Sequence, residues 1–139
     1  MAVVLAKAPA VASHRTAAWI WGLRRWRPET FHLTAPTRRH RTKLAVVHFA
    51  RLEPDDRAVV EGIPVTSLAR TFLDLAAEEP ANRLQAMAQR AEDLQIFDLR
   101  RVEILLARAG GHPGRGKLTD ALRTFAPQFA VLRSDLERR

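Results

Sequence analysis

The sequence of 139 residues contains no cysteine and no long apolar run. The absence of cysteine excludes disulfides and every site that needs a thiolate, and it agrees with a reducing cytoplasm. No segment reaches the length that spans a bilayer. Residues 2–12 end like a signal peptide, but they lack a basic start and Lys7 and Pro9 interrupt them. We interpret them as a short helix and a linker, and we predict a cytoplasmic protein without a membrane partner.

The net charge of +8 is unevenly distributed along the chain. Residues 14–43 carry eight basic residues against Glu29 alone, a balance of +7. The basic residues are Arg15, Arg24, Arg25, Arg27, Arg38, Arg39, Arg41 and Lys43. Residues 52–98 carry ten acidic and four basic residues, a balance of −6. The protein is therefore expected to present faces of opposite charge.

Three tryptophans, Trp19, Trp21 and Trp26, are interleaved with the basic residues. This pattern is typical of a surface that binds a polyanion, so we predict that the eight basic residues contact DNA. Because tryptophans this close in sequence cannot all point into one core, we expect one of them to be exposed. The alternative is a solvated basic face without a specific ligand, as in generally Arg-rich bacterial proteins.

Residues 59–76 change from the spacing of a strand to that of a helix. Val59 and Val60 are β-branched, and Gly62 supplies the backbone freedom that a tight turn needs. Pro64 fixes its own φ and has no N–H to donate. The segment therefore predicts an edge strand or the tip of a hairpin.

A helix follows this turn, and Thr66 or Ser67 can cap it. Phe72 and Leu75 recur at helical spacing on its apolar side, so we place both in the core. Arg70 and Asp74 form an i, i+4 pair, for which we favour a structural role.

The predicted elements change in type along the chain. Strands are expected at residues 31–35 and 45–52, joined by a basic loop at residues 36–43. One helix is expected at residues 13–21, ending at Gly22. Four more are expected from residue 68, after Pro80, after Asp98 and at residues 116–126. Strands in the first half and helices in the second predict an α+β fold, with a small antiparallel sheet packed by four to five helices. With 47% hydrophobic residues, a chain of this length has one core.

Two segments resemble one protein family. Residues 13–23, SHRTAAWIWGL, and residues 59–76, VVEGIPVTSLARTFLDLA, are similar in order and approximate spacing to the core domain of AbiEi-family type IV antitoxins and transcriptional regulators of bacteria. The motif positions that we carry over, as structural residues, are Ser13, His14, Trp21, Gly22, Gly62, Pro64, Thr66, Arg70, Thr71 and Asp74.

The resemblance implies transcriptional autoregulation and neutralisation of a nucleotidyltransferase toxin. We therefore predict a non-enzymatic module that binds DNA or a cognate nucleotidyltransferase toxin. We expect no cofactor, no metal and no catalytic residue.

The sequence departs from this family at both ends. Members usually begin with a winged helix-turn-helix that reads DNA, and this chain starts just before the first motif. In actinobacterial members a domain similar to very-short-patch-repair endonucleases follows the core, and residues 132–137 resemble its start. We therefore divide the chain into a core domain, residues 1–128, and a truncated element, residues 129–139. The alternative function is a truncated remnant of such a two-domain protein, without activity of its own.

Three local patterns are typical of other chemistry, but each has a plainer interpretation. Residues 111–117 match the G-x-x-x-x-G-K of a phosphate-binding loop, yet they follow a helix and lack its Ser or Thr, so we predict a turn between helices. The acidic residues within positions 53–61 suit a divalent cation, but acids also nucleate turns. The five histidines include no i, i+4 pair, so we predict no zinc site, and we interpret His14 as a capping or packing residue.

Overall fold

The structure, a computed structural model, describes residues 10–125. Within this range the chain forms one six-stranded sheet and five α-helices, which confirms the predicted α+β class. The strands are β1 (Val11–Ala12), β2 (Phe31–Ala35), β3 (His40–Arg41), β4 (Ala45–Phe49), β5 (Arg57–Val60) and β6 (Ile63–Thr66). The helices are α1 (His14–Ile20), α2 (Leu68–Ala76), α3 (Ala81–Asp93), α4 (Leu99–Arg108) and α5 (Arg115–Phe125). A 3-10 turn at Pro54–Asp56 leads into β5.

Two predictions concern the ends of the chain. The truncated element at residues 129–139 lies outside the described residues, and so does most of the short helix and linker at residues 2–12. Val11–Ala12 belong to β1, where a linker was expected. None of the helices within residues 10–125 is long and apolar enough to cross a membrane.

The sheet has the strand order β3-β4-β2-β1-β6-β5 and is mixed, whereas a small antiparallel sheet was predicted. Two pairs are parallel, β2 with β4 and β1 with β6. After β2, the chain crosses to the outer edge, forms β3 and returns as β4, which pairs antiparallel with β3. This path inserts β4 between β2 and β3, in the direction of β2. The basic segment that was expected to be a loop therefore contains the edge strand β3.

A two-residue turn joins β5 to β6, as the hairpin prediction required. Glu61 has φ 50° and Gly62 has φ 80°, the backbone of a type I′ turn, which matches the twist of the flanking strands. Val60 pairs with Ile63 at the tip. Pro64 is tolerated because the neighbouring β1 pairs with β6 at Val65, one residue further on.

Helix α1 ends as the sequence predicts. Gly22 adopts φ 88°, the left-handed conformation in which a residue without Cβ is least strained. The N–H of Gly22 donates to Trp19 O (3.1 Å) and the N–H of Leu23 to Ala18 O (2.8 Å). Together these bonds form a Schellman motif, which satisfies the last carbonyls of the helix.

The main core lies between the helices, with α2 at its centre. Phe72 and Leu75 are 1% and 0% exposed, which confirms their predicted burial. Phe72 also packs edge-on against Phe97, with ring centroids 5.8 Å apart. Helix α2 starts at Ser67, whose Oγ accepts a hydrogen bond from the N–H of Arg70 (3.2 Å), so Ser67 is the cap of the two candidates.

The glycine-rich segment between α4 and α5 is a turn, as predicted, and it packs tightly on α2. A methyl group at Gly114 would overlap the Leu73 carbonyl oxygen and lie 3.0 Å from the Ala76 Cβ. At Gly111 a methyl group would meet nothing within 4 Å. Lys117, which would reach a phosphate in a nucleotide loop, donates instead to Glu79 O (3.0 Å).

The first prediction concerns the centre of the core. Replacing Phe72 with Ala should lower the free energy of unfolding by about 3–5 kcal/mol, because burial is lost and a cavity remains. Ile104→Ala is the control, since Ile104 is 51% exposed, and it should cost much less. Urea denaturation of both variants measures the difference. A Phe72→Ala protein that melts within a few degrees of the parent would contradict the packing described.

The second prediction uses two glycines of the same turn. Gly114→Ala should destabilise the protein by about 1–3 kcal/mol, because the added methyl group forces the turn away from α2. Gly111→Ala adds the same group in open space and should change the stability little. Equal denaturation midpoints for the two variants would show that the turn does not pack on α2 in this way.

Candidate nucleic-acid interface

The eight predicted DNA-contacting residues lie at the surface on three parts of the fold. Arg15 is on α1, and Arg24, Arg25 and Arg27 follow that helix. Arg38, Arg39, Arg41 and Lys43 lie on or beside β3. Seven of the eight are exposed, and Arg24 is partly buried, with 25% of its side chain exposed.

A cleft of about 520 Å³ brings three of these residues together. Arg15, Arg24 and Arg41 line it, with the aromatic ring of Trp26. The remaining five basic residues do not line this cleft. We call the cleft, with these four residues and the histidines described below, the basic cleft.

Trp26 is the exposed tryptophan that the sequence predicted, with 76% of its surface accessible. The guanidinium of Arg25 lies over its ring at 5.1 Å, and that of Arg27 lies over Phe31 at 5.9 Å. These contacts are within the range of cation–π interactions. Trp21, in contrast, donates its indole N–H to Thr66 O (2.9 Å) and so has a structural contact.

Glu79 is a residue of this surface that the sequence did not reveal. It is 3% exposed, and its carboxylate lies 3.2 Å from Arg15 and 3.4 Å from Arg24. Arg83 lies at 4.0 Å from its second oxygen. The buried carboxylate fixes two arginines of the cleft and reduces the positive charge that they present. The local i, i+4 pair with Arg83 does not reveal this role, because Arg15 and Arg24 lie 64 and 55 residues away in sequence.

Three of the five histidines come together at the basic cleft: His32 and His48 line it, and His14 is buried against them. The rings of His14 and His48 stack with centroids 3.8 Å apart, and His32 Nδ1 lies 2.9 Å from His48 Nε2. They arise from three elements, α1, β2 and β4. In the parallel register Thr34 pairs with His48, so His48 lies on the same sheet face as Thr34 and His32. Because the three histidines come from different elements, a search for two histidines four residues apart in sequence could not detect this cluster.

Ser13 occupies the N-cap position of α1, but its hydroxyl does not cap the helix. Its Oγ accepts from Thr34 Oγ1 (2.7 Å) and is 2.8 Å from His14 Nδ1. His14 itself has φ 54°, a left-handed conformation that is uncommon outside glycine. His14 was predicted to cap the helix or to pack against other side chains. It packs, and it does not cap the helix.

Burial is the main cause that lowers the pKa of each histidine in the cluster. The pKa of His14 falls to about 4, although the negative charge of Asp74 opposes the shift. The pKa values of His32 and His48 are also lowered by burial. The three rings are therefore neutral at pH 7, with nitrogen lone pairs available.

Within the described residues, the four candidate acids of residues 53–61 do not bring three carboxylates together as a metal site would require. Asp56 is 1% exposed and binds the guanidinium of Arg108 through both oxygens, at 2.6 and 3.4 Å. Its Oδ2 also accepts from the N–H of Glu53 (3.0 Å). Asp56 thus has a structural ion pair, and Arg70 lies 3.9 Å from the same carboxylate.

Arg70 and Asp74 form the ion pair that the sequence suggested, at 3.0 Å and largely buried. Asp74 Oδ1 also contacts His112 Nε2 at 3.1 Å. Burial alone would raise the pKa of Asp74, but the hydrogen bond from His112 and the charge of Arg70 outweigh it and lower the pKa. Thr66 and Thr71, also in the motif, share a hydroxyl–hydroxyl bond of 2.7 Å.

Comparison with known proteins gives one family. The family model for the AbiEi antitoxin C-terminal domain matches residues 10–118, a range that contains both motifs, the sheet and the basic cleft. No curated protein matches the chain.

Proposed function

The chain belongs to the AbiEi antitoxin C-terminal domain family, which supports an antitoxin or regulator role, and from this premise we propose that it acts by binding duplex DNA. The DNA phosphates contact the eight basic residues of positions 14–43, and the binding has little sequence preference. The module has no enzymatic activity and works in the cytoplasm. It is of the actinobacterial type of the family.

One observation carries this proposal. Six of the eight basic residues are exposed and have no acidic partner within residues 10–125. They are Arg25, Arg27, Arg38, Arg39, Arg41 and Lys43. Cations that serve the fold have such partners, as Arg70 and Arg108 do. Exposed cations without acidic partners, concentrated on one segment, favour phosphate contacts along a polyanion.

Phosphate contacts position a protein on DNA but carry no sequence information, which base contacts supply. The basic segment at residues 14–43, all of which the structure describes, contains one α-helix, α1 (His14–Ile20), and this helix has seven residues. The basic residues of the β3 region lie on a strand edge and its turns. We therefore expect affinity without strong sequence preference.

The third prediction is the salt dependence of DNA binding. If about four phosphates are neutralised, log K should fall with log salt with a slope of roughly −3 to −4. Fluorescence anisotropy with a labelled duplex, titrated at several salt concentrations, measures the slope. An affinity that does not change with salt, or no binding near about 50 mM salt, would overturn the proposal.

A matched pair of variants locates the contact surface. Charge reversal to Glu at Arg38, Arg39 and Arg41 should weaken binding to all duplex sequences alike. The control reverses Arg100, Arg101 and Arg123, which are also exposed but lie on α4 and α5. Both variants change the net charge equally, so equal losses of affinity would mean that only the overall charge matters.

Binding of a cognate nucleotidyltransferase toxin is the second candidate function, and a different surface favours it. A cleft of about 690 Å³ is lined by apolar side chains, among them Phe97 and Ile104, and by Arg100 and Arg101. Ile104 is 51% exposed, so an apolar side chain of this cleft is accessible to a partner. The lining combines apolar and charged side chains, and protein interfaces contain both kinds.

The fourth prediction separates the two functions in cells that co-express a nucleotidyltransferase toxin. Ile104→Glu should abolish growth rescue while leaving DNA affinity unchanged, if this cleft contacts the toxin. Charge reversal at Arg38, Arg39 and Arg41 should instead weaken DNA binding and leave growth rescue unchanged. Full rescue by the Ile104→Glu protein would rule out this cleft as the toxin surface.

A further inference from the structure

The histidine cluster contains potential metal ligands that have no part in the proposed DNA binding. His14, His48 and Glu78 each offer one ligand atom, and the three atoms lie within 4.8 Å of one another. His14 is buried, His48 is half-buried and Glu78 is exposed, so the group opens from the core into the basic cleft. His48 and Glu78 both line that cleft.

The distances suit a small cation between the three residues. Zn²⁺ binds histidine nitrogen and carboxylate oxygen at about 2.0–2.2 Å, so two ligands of one ion lie about 3.4 Å apart. The three atoms lie within 4.8 Å of one another, so the side chains must move closer together by a change of rotamer when an ion binds. The rings of His14 and His48 are stacked with 17° between their planes, so one of them must tilt before both in-plane lone pairs meet one ion. The exposed Glu78 can close on the ion from solvent.

Ser13 supplies the outer contact that a histidine ligand requires. A metal-binding imidazole almost always donates its other N–H to an oxygen, which fixes the tautomer and the ring orientation. His14 Nδ1 is 2.8 Å from Ser13 Oγ, and in the tautomer in which Nδ1–H donates to this hydroxyl, His14 Nε2 keeps a lone pair for the ion. Thr34 Oγ1 holds that serine in place with a further hydrogen bond of 2.7 Å. His14 is thus oriented, in a strained backbone conformation, by groups that serve no catalytic or capping purpose.

A second observation comes from Asp74, which the structure buries near the same histidines. Its Oδ2 has no hydrogen-bond partner in the part of the chain that the structure describes, although the side chain is 4% exposed. Buried carboxylate oxygens without partners are costly. Arg70 and His112 bind Asp74 through Oδ1, and the charge of Asp74 also acts on His14 and His48, so it would favour a cation among the histidines.

We propose that His14, His48 and Glu78 bind one Zn²⁺ ion, with a fourth coordination position open to the basic cleft. Two neutral imidazoles and one carboxylate form a ligand set that zinc accepts, whereas Mg²⁺ prefers oxygen ligands alone. Three protein ligands leave room for a water or an anion. His32, 2.9 Å from His48, orients that ring through its Nδ1. The site goes beyond DNA binding and does not depend on it.

Nearby cations set the preference for the fourth ligand. The charges of Arg15 and Arg41 act on His32, and the charge of Arg39 acts on His48. These arginines disfavour a bare divalent ion but favour an anion bound to it. An anionic fourth ligand, such as a phosphate oxygen, therefore fits the open position better than a neutral one.

The test measures Zn²⁺ binding to tag-free protein that has been treated with a chelator. Isothermal titration should show one Zn²⁺ per chain, and Co²⁺ should give the visible absorption of a four-coordinate site. His48→Asn and Glu78→Gln should each weaken Zn²⁺ binding by about tenfold or more. Ser13→Ala should weaken it by about tenfold as well, although Ser13 does not touch the ion. Mg²⁺ should not compete.

Matched control variants show whether Zn²⁺ binds at this cluster or elsewhere on the surface. His40→Asn and Glu92→Gln remove an exposed histidine and an exposed glutamate outside the cluster, and they should leave the affinity unchanged. Circular dichroism of each variant shows whether it folds, and the exposed Glu78→Gln variant keeps the test decisive if the His48 variant unfolds. The proposal is overturned if Zn²⁺ does not bind at micromolar concentration, if Glu78→Gln binds like the parent, or if the control variants lose affinity equally.

Discussion

Three carboxylates within the described residues are buried, and each must be compensated by cations because water does not reach it. Asp56 is bound by Arg108 and approached by Arg70, Asp74 is bound by Arg70 and His112, and Glu79 is bound by Arg15 and Arg24. In each case at least one partner comes from a distant part of the sequence. The contacts of Asp56 with Arg108 and Arg70, and of Glu79 with Arg15 and Arg24, connect the sheet half of the chain to the helical half.

Arg70 has a central position in this arrangement. It lies between Asp56, just before β5, and Asp74, one turn further along α2. The same helix inserts Phe72 and Leu75 into the core, so charge compensation and apolar packing act on opposite sides of one short element. Breaking a buried pair by removing one partner typically costs about 3–5 kcal/mol, which is a large share of the stability of one domain. The family motif at residues 59–76 therefore describes a structural unit, in which turn, cap, core side chains and ion pairs depend on each other.

The sequence was sufficient where the information is local. The type I′ turn at Glu61 and Gly62, the end of α1 at Gly22, the cap at Ser67 and the burial of Phe72 each follow from residues a few positions apart. The exposure of one tryptophan in three followed from the same kind of reasoning, and Trp26 is that residue.

The sequence was insufficient where distant residues meet. β1 and β3 have two residues each, too few for any periodicity, and without them the parallel pairing of β2 with β4 could not be foreseen. The cluster of His14, His32 and His48 depends on that pairing, so a test for histidines four residues apart could not find it. Glu79 also appeared to be an ordinary acid before a proline, because its arginines lie in the first quarter of the chain.

The edge strand β3 has a further consequence for how this protein behaves at high concentration. An exposed strand edge presents unpaired N–H and C=O groups that can pair with another sheet, and proteins counter this with short edge strands and charged side chains. β3 consists of His40–Arg41, and Arg38, Arg39 and Lys43 flank it. Like charges on two such edges repel each other, so the cations that we assign to DNA also keep two copies of the sheet from joining edge to edge. Neutralising them would favour aggregation even in a molecule whose fold is intact.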